Sequence, residues 1–265
     1  MMEKGDENVS DGDIIQWGYT KTEQSLVQSA QNLMLSYWSS LISLEDEKNS
    51  AARAQTDYEV TQMQAAAGTA TQSAVLNAQQ AVLSAQAAIV STESAIASAK
   101  ENLCLMLGWN YGDEVEIAAL PDPELSYSST VKLEEDTAKA VEHNYDLMIL
   151  RRQVKNAKVG SLQREYETTL AGSEEAVKSN VKSAYQSLLL AENQYAQELK
   201  SFELEERTMA SAERKKAAGT ISRNDYQSQA YSYESAKVKK ESAAISLLGA
   251  QLSYRWAVDG LASST

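Results

Sequence analysis

The sequence predicts an all-α fold of elongated antiparallel coiled-coil hairpins in two internal repeats. Three observations predict it. The 265-residue chain carries only 2 Pro and 11 Gly among abundant Ala, Ser, Gln, Glu and Lys, the composition of long helices. Apolar residues recur every seven positions along most of the chain, as in a helix seam packed on other helices. A Gly-Thr break between long helical patterns occurs twice, at Gly68-Thr69 and Gly219-Thr220, 151 residues apart. Glycine enters the left-handed region without a Cβ clash, so each break can end one helix and turn the chain back. Two equivalent tips in one chain imply a duplication.

Residues 1–20 are polar and rich in Gly and Asp, which predicts a flexible lead-in. The first repeat spans 21–108. Its outgoing helix, to about residue 67, has a seam at Ala30, Tyr37, Leu44, Ala51, Tyr58 and Ala65. The return helix has a cleaner one at Val75, Val82, Ile89, Ile96 and Leu103. Three residues on from each stand Ala78, Ala85, Thr92, Ala99 and Met106, so large layers alternate with mostly small ones and the backbones can approach closely. Gly108 ends this helix.

Residues 109–133 form a linker that holds both prolines, Pro121 and Pro123. A short strand fits there only at Val115-Glu116-Ile117. The second repeat spans 134–260, with soft points at His143-Asn144 and Gly160. Ala171-Gly172-Ser173 followed by Glu174 and Glu175 predicts a break and a fresh helix start, because acids suit a first turn. The helix over about 174–217 repeats Val181, Leu188, Tyr195, Phe202 and Met209. After Gly219, Ser222 and Asp225 approximate a capping box. The last helix carries Tyr226, Tyr233, Leu247 and Tyr254 beside Ala236, Ala243, Ala250 and Ala257, with Lys240 interrupting, and 261–265 is a tail. The duplication extends beyond the tips, since Ser36-Tyr37-Trp38-Ser39-Ser40-Leu41-Ile42 is similar to Ala184-Tyr185-Gln186-Ser187-Leu188-Leu189-Leu190. Helices of about 35–45 residues reach roughly 50–65 Å at 1.5 Å per residue, so such rods need neighbours to cover their seams.

Charge and motifs narrow the function. A net charge of −13 disfavours nucleic acid and anionic membranes as partners. The one cysteine, Cys104, forms no intrachain disulfide and reads as a small core residue. No apolar run approaches the roughly 20 residues of a membrane helix. The N-terminus has no apolar signal region, so the chain is either cytoplasmic or a form from which the signal has been removed. His143 stands alone, without metal-ligand spacing around it. There is no nucleophile–base pair, phosphate loop or redox motif. No enzyme, cofactor or metal is expected. Arg214-Lys215-Lys216 suits either a helix C-terminus or an acidic partner, and Glu203, Glu205, Glu206 and Arg207 read as a solvated face.

Together these features resemble the TolC family of envelope efflux and secretion channels. The resemblance rests on the two tips, on Ala74-Val75-Leu76-Asn77-Ala78, on Leu107-Gly108, and on Ala138-Lys139-Ala140-Val141-Glu142-His143-Asn144-Tyr145-Asp146-Leu147, similar to the family's "AL…NNPEL" segment. It covers residues 25–260, and it is the order and spacing that carry it. It implies a homotrimer around a hollow α-helical tunnel in the extracytoplasmic envelope. The tips Gly68, Thr69, Gly219 and Thr220 would dock a membrane-fusion adaptor, and through it an inner- or cytoplasmic-membrane pump of the ABC or a similar type. Asp225 matches the first aspartate of the family's tunnel constriction, while Ser228 and Ala74 replace other acids of that pattern. By itself, Asp225 is more often a helix-capping acid than a gate, because the helix dipole stabilises a carboxylate in the first turn.

The family's paired β-strands and leading helix pair are missing. The resemblance therefore implies a TolC-like α-barrel without the β-barrel, either trimmed or natural, and the smooth run from Lys158 to Lys178 favours the natural form. Two other readings remain open: a solid coiled-coil scaffold or adaptor-like spacer with no lumen, and a cytoplasmic structural coiled coil.

Overall fold

The structure is a computed structural model that describes residues 3–110, 112–113, 116–157 and 160–265, with side chains from residue 12. It consists of six α-helices: α1 Glu3–Ala66, α2 Gln72–Met106, α3 Leu133–His143, α4 Tyr145–Asn156, α5 Gly160–Ala217 and α6 Arg223–Trp256. A 3-10 turn covers Tyr127–Thr130, and a wide turn at Ala257–Leu261 closes the chain. No strand occurs among the described residues. Val115 of the suggested strand lies outside them, and Glu116 and Ile117 are irregular.

Two expectations need correction. The first helix already begins at Glu3, so residues 3–20 are helix and not a loose lead-in. Asp13 of this segment pairs with Arg152 of α4, and Lys21 just after it pairs with Asp146 of α4, so both anchor a polar helical stretch. The predicted break at Gly172 is likewise absent, because α5 runs through it. An interior glycine costs a helix only about 1 kcal/mol relative to alanine. Here Ser173, Val177 and Val181 lie on one buried face across the expected break, and Glu174 pairs with Arg151 of α4 at 2.9 Å. Packing overrides the local start signal. The soft points at Asn144 and Gly160, in contrast, do separate α3 from α4 and α4 from α5.

The chain divides into two compact units. The first comprises residues 1–32, 122–193 and 246–265, and it contains the better-sealed core. Ala140, Leu147, Val177, Val181 and Leu188 are fully buried there, with Leu247 and Tyr254 nearly so. Three polar residues are buried with them, Ser173, Asn144 and Gln251, and the two amides are held by hydrogen bonds. Gln251 holds the linker by accepting from Glu124 N at 3.2 Å and donating to Glu124 O at 2.6 Å. Asn144 caps α4 by accepting from Leu147 N at 3.1 Å, and its amide donates to Gly260 O at 3.2 Å and Ala262 O at 2.8 Å.

Tyr254 stacks edge-on with Tyr127 and tilted with Tyr185, and its hydroxyl donates to Asp136 at 2.8 Å. Burial, helped by the Asp136 carboxylate, pushes the phenol well above its ordinary value. A raised folded-state value favours folding while the phenol is protonated. That contribution is complete below the unfolded value of about 10 and is lost as pH rises through the folded one. Tyr254→Phe should lower stability by roughly 1–2 kcal/mol at pH 7. It should also remove part of the alkaline destabilisation above about pH 10, as measured by urea unfolding at pH 7 and pH 11.

The second unit comprises residues 33–121 and 194–245. Its buried residues are fewer and smaller: Val75, Val82, Leu103, Cys104, Ala212, Ala236, Val238 and Ala243. The seam positions of α1 are all only half-buried. Side-chain links run in sequence from α2 to α1 (Thr92 to Glu47, 2.8 Å), from α1 to α6 (Lys237 to Glu45, 2.7 Å) and from α6 to α5 (Gln229 to Glu205, 2.7 Å). No hydrogen bond or ion pair joins α2 to α5 among the described residues. The side-chain links thus order the helix segments of this unit as α2–α1–α6–α5. Lys240, which interrupts the α6 seam, sits over the Phe202 ring at 4.2 Å, so the seam absorbs the charge as a cation–π contact.

Candidate functional site

The two Gly-Thr tips belong to the second unit, and their backbones are the same. Gly68 has φ +76° and Gly219 φ +67°. The Gly68 N–H donates to Ala65 O at 3.0 Å and the Thr69 N–H to Gln64 O at 2.8 Å. At the second tip Gly219 donates to Lys216 O at 3.1 Å and Thr220 to Lys215 O at 2.9 Å. This pair of bonds defines a Schellman cap, with glycine at C′ and threonine at C″. Each threonine hydroxyl also donates to the carbonyl that its own N–H uses, Gln64 O at 3.0 Å and Lys215 O at 3.2 Å. Threonine therefore engages one carbonyl of the last helical turn twice, through its N–H and through its hydroxyl.

The returning helices start differently. Thr71 caps α2, its hydroxyl accepting from Ala74 N at 3.2 Å. Ser222 caps α6 by accepting from Asp225 N at 3.1 Å, and its hydroxyl donates to the Asp225 carboxylate at 2.7 Å. One half of the predicted capping box is therefore formed, while the Asp225 carboxylate accepts from the Ser222 hydroxyl through one oxygen. The residue is exposed, as are all four Gly-Thr residues. Thr56 stands twelve residues before Gly68 and Tyr231 twelve after Gly219, and their hydroxyls share a 3.1 Å hydrogen bond. That link sets α1 and α6 side by side in register and brings both tips to the same end of this unit.

The tyrosine seam is packing: Tyr233 stacks on Phe202 with centroids 5.5 Å apart, and Tyr226 lies under Lys216 Nζ at 3.8 Å. Cys104 is buried, as its apolar surroundings predicted, and His143 is exposed. The sequence did not single out a stripe on α2 one position on from the buried seam. Leu76, Leu83 and Val90 are 56%, 53% and 63% exposed. Their seven-residue spacing was there to be read, but periodicity alone assigns every such residue to one seam. Gly260 was also missed, although it follows Gly219 by 41 residues much as Gly108 follows Gly68 by 40.

No family model matches the sequence, and no curated protein matches it. Solved structures do match the fold. Over 95% of this chain and 74% of the other, it is similar to the outer membrane protein VceC of Vibrio cholerae, with a TM-score of 0.61 at 11% identity. The Campylobacter jejuni CmeC outer membrane channel matches over 97% of this chain and 67% of its own, with a TM-score of 0.58 at 11% identity. CusC, described for transmembrane channel formation, matches over 89% and 79%, with a TM-score of 0.58 at 15% identity. The chain has the helical fold of such channels. No helix among the described residues is long and apolar enough to cross a membrane.

Proposed function

We propose that the chain is the α-helical tunnel component of a cell-envelope efflux or secretion system. Several copies, three by the TolC resemblance, close into a ring, and the Gly-Thr tips dock an adaptor that connects to a pump. One observation supports the reading: apolar residues are exposed on the helices at the two ends of the linked order α2–α1–α6–α5, Leu76, Leu83 and Val90 on α2 and Leu204 on α5, which fits an open row. Exposed leucines at heptad spacing favour a helix partner. A row that meets its next copy edge to edge closes only around a lumen, whereas a solid spacer would cover both edges within one bundle. Solutes would pass through passively, and Asp225 would contribute negative charge near the tip end of the bore.

Leu83→Glu places a charge in the proposed seam and leaves the chain's own core untouched. It is expected to weaken self-association at least about tenfold by sedimentation, with helicity unchanged. The function itself is tested by deleting the gene in its native cell and following ethidium retention together with the secreted proteins. Higher retention or a lost secreted protein, restored by the wild-type gene, supports the reading. No change in either contradicts it.

A further inference from the structure

The two tips share a backbone but not a surface. From Val60 through Thr92 the first hairpin carries no charged residue at all. The second tip carries Arg214, Lys215 and Lys216 before its glycine and Arg223 just after, all exposed. None of the four makes an ion pair with a carboxylate among the described residues. Arg214 Nε donates only to Ala210 O of its own helix at 3.2 Å, and Lys216 stacks over Tyr226. Cations do suit a helix C-terminus. That cannot be the reason for these, because α1 ends in the same Schellman cap with no basic residue in its last turn. The fold of the tip does not need them.

We infer that the second tip is the charge-selective half of the docking face and takes an acidic helix-hairpin end of a partner protein, while the first tip takes an uncharged one. This rests on the tips being docking sites. The basic surface is only one helix end wide. Exposed Glu206, Glu213 and Asp225 border it, and the chain as a whole carries −13. An extended polyanion or an anionic membrane would meet those acids too, whereas a hairpin end of matching width can meet the cations alone. Unpaired cations in a docking face also fix which of two look-alike tips a partner hairpin engages, because the wrong pairing leaves its acids without partners.

The test uses the full chain and two synthetic helical hairpins of equal length, one tipped with Glu-Glu-Asp and one with Gln-Ala-Ser. Binding is followed by fluorescence anisotropy, and a photocrosslinking residue is placed at position 69 or 220. The acidic hairpin should crosslink at 220 and not at 69, and should lose about tenfold in affinity between 50 and 300 mM salt. R214Q/K215Q/K216Q should reduce its binding at least about tenfold with unchanged circular dichroism, since the first tip folds without cations. The neutral hairpin should crosslink at 69, with little salt dependence. Equal crosslinking of the acidic hairpin at both tips, or its undiminished binding to the triple variant, would overturn the charge assignment and leave docking intact. Failure of both hairpins to bind would overturn docking as well.

Discussion

Gly260→Ala is expected to lower the unfolding midpoint by roughly 6–20 °C, whereas the same change at Gly108 should cost only a few degrees. Both glycines follow a long return helix at nearly the same distance from their tips, and both have positive φ, +106° and +82°. An added Cβ at Gly108 meets nothing within 4 Å. It therefore suffers only the left-handed backbone strain, about 1–2 kcal/mol. At Gly260 the same Cβ falls 2.6 Å from the His143 carbonyl oxygen and 3.3 Å from both His143 C and the Tyr145 ring. Backbone cannot step aside as a flexible side chain would, so strain and overlap together should reach about 3–5 kcal/mol. Thermal unfolding followed by circular dichroism compares the two. Equal losses would mean that the Gly260 turn is not packed on α3 and α4.

Asn144→Ala should be comparably damaging from the other side of the same contact. Asn144 is 1% exposed and makes three hydrogen bonds through one amide. Alanine removes the α4 cap, worth about 1 kcal/mol. It also leaves the carbonyls of Gly260 and Ala262 buried without a side-chain donor, at about 1–3 kcal/mol each. The total is roughly 3–7 kcal/mol by the same accounting, read from urea unfolding. Asn144→Ser keeps an acceptor for the Leu147 N–H and should recover about 1 kcal/mol of that loss. Full recovery by serine would show that capping alone matters and that the two carbonyls find other donors.

What the sequence disclosed follows from which interactions are local. The tips at Gly68 and Gly219 were legible because a left-handed residue at a helix end favours glycine, whatever lies around it. Seam residues such as Val82 and Leu188 were legible because burial repeats every seven positions. Gly172 misled because its neighbours satisfy every local rule for a helix start, while the buried face of Ser173, Val177 and Val181 and the Arg151–Glu174 pair are set by tertiary packing. Residues 3–20 misled for the same reason, since the ion pairs of Asp13 and of Lys21 just after the segment reach partners more than a hundred residues away. Asn144 and Gly260 were visible as residues, but the contact between them joins the start of a repeat to its end. At the tips, chain chemistry identified the glycines and threonines, yet only the structure shows that the cations of the second tip lack carboxylate partners.

The central claim is that an open row of helices closes against its own copies around a hole. Light scattering on the purified chain, combined with negative-stain images of the same sample, measures this directly. The expected result is a mass of three times 29.0 kDa and end-on views of a ring with a stained centre, both lost in Leu83→Glu. A single-chain mass, or oligomers with solid centres, would contradict it.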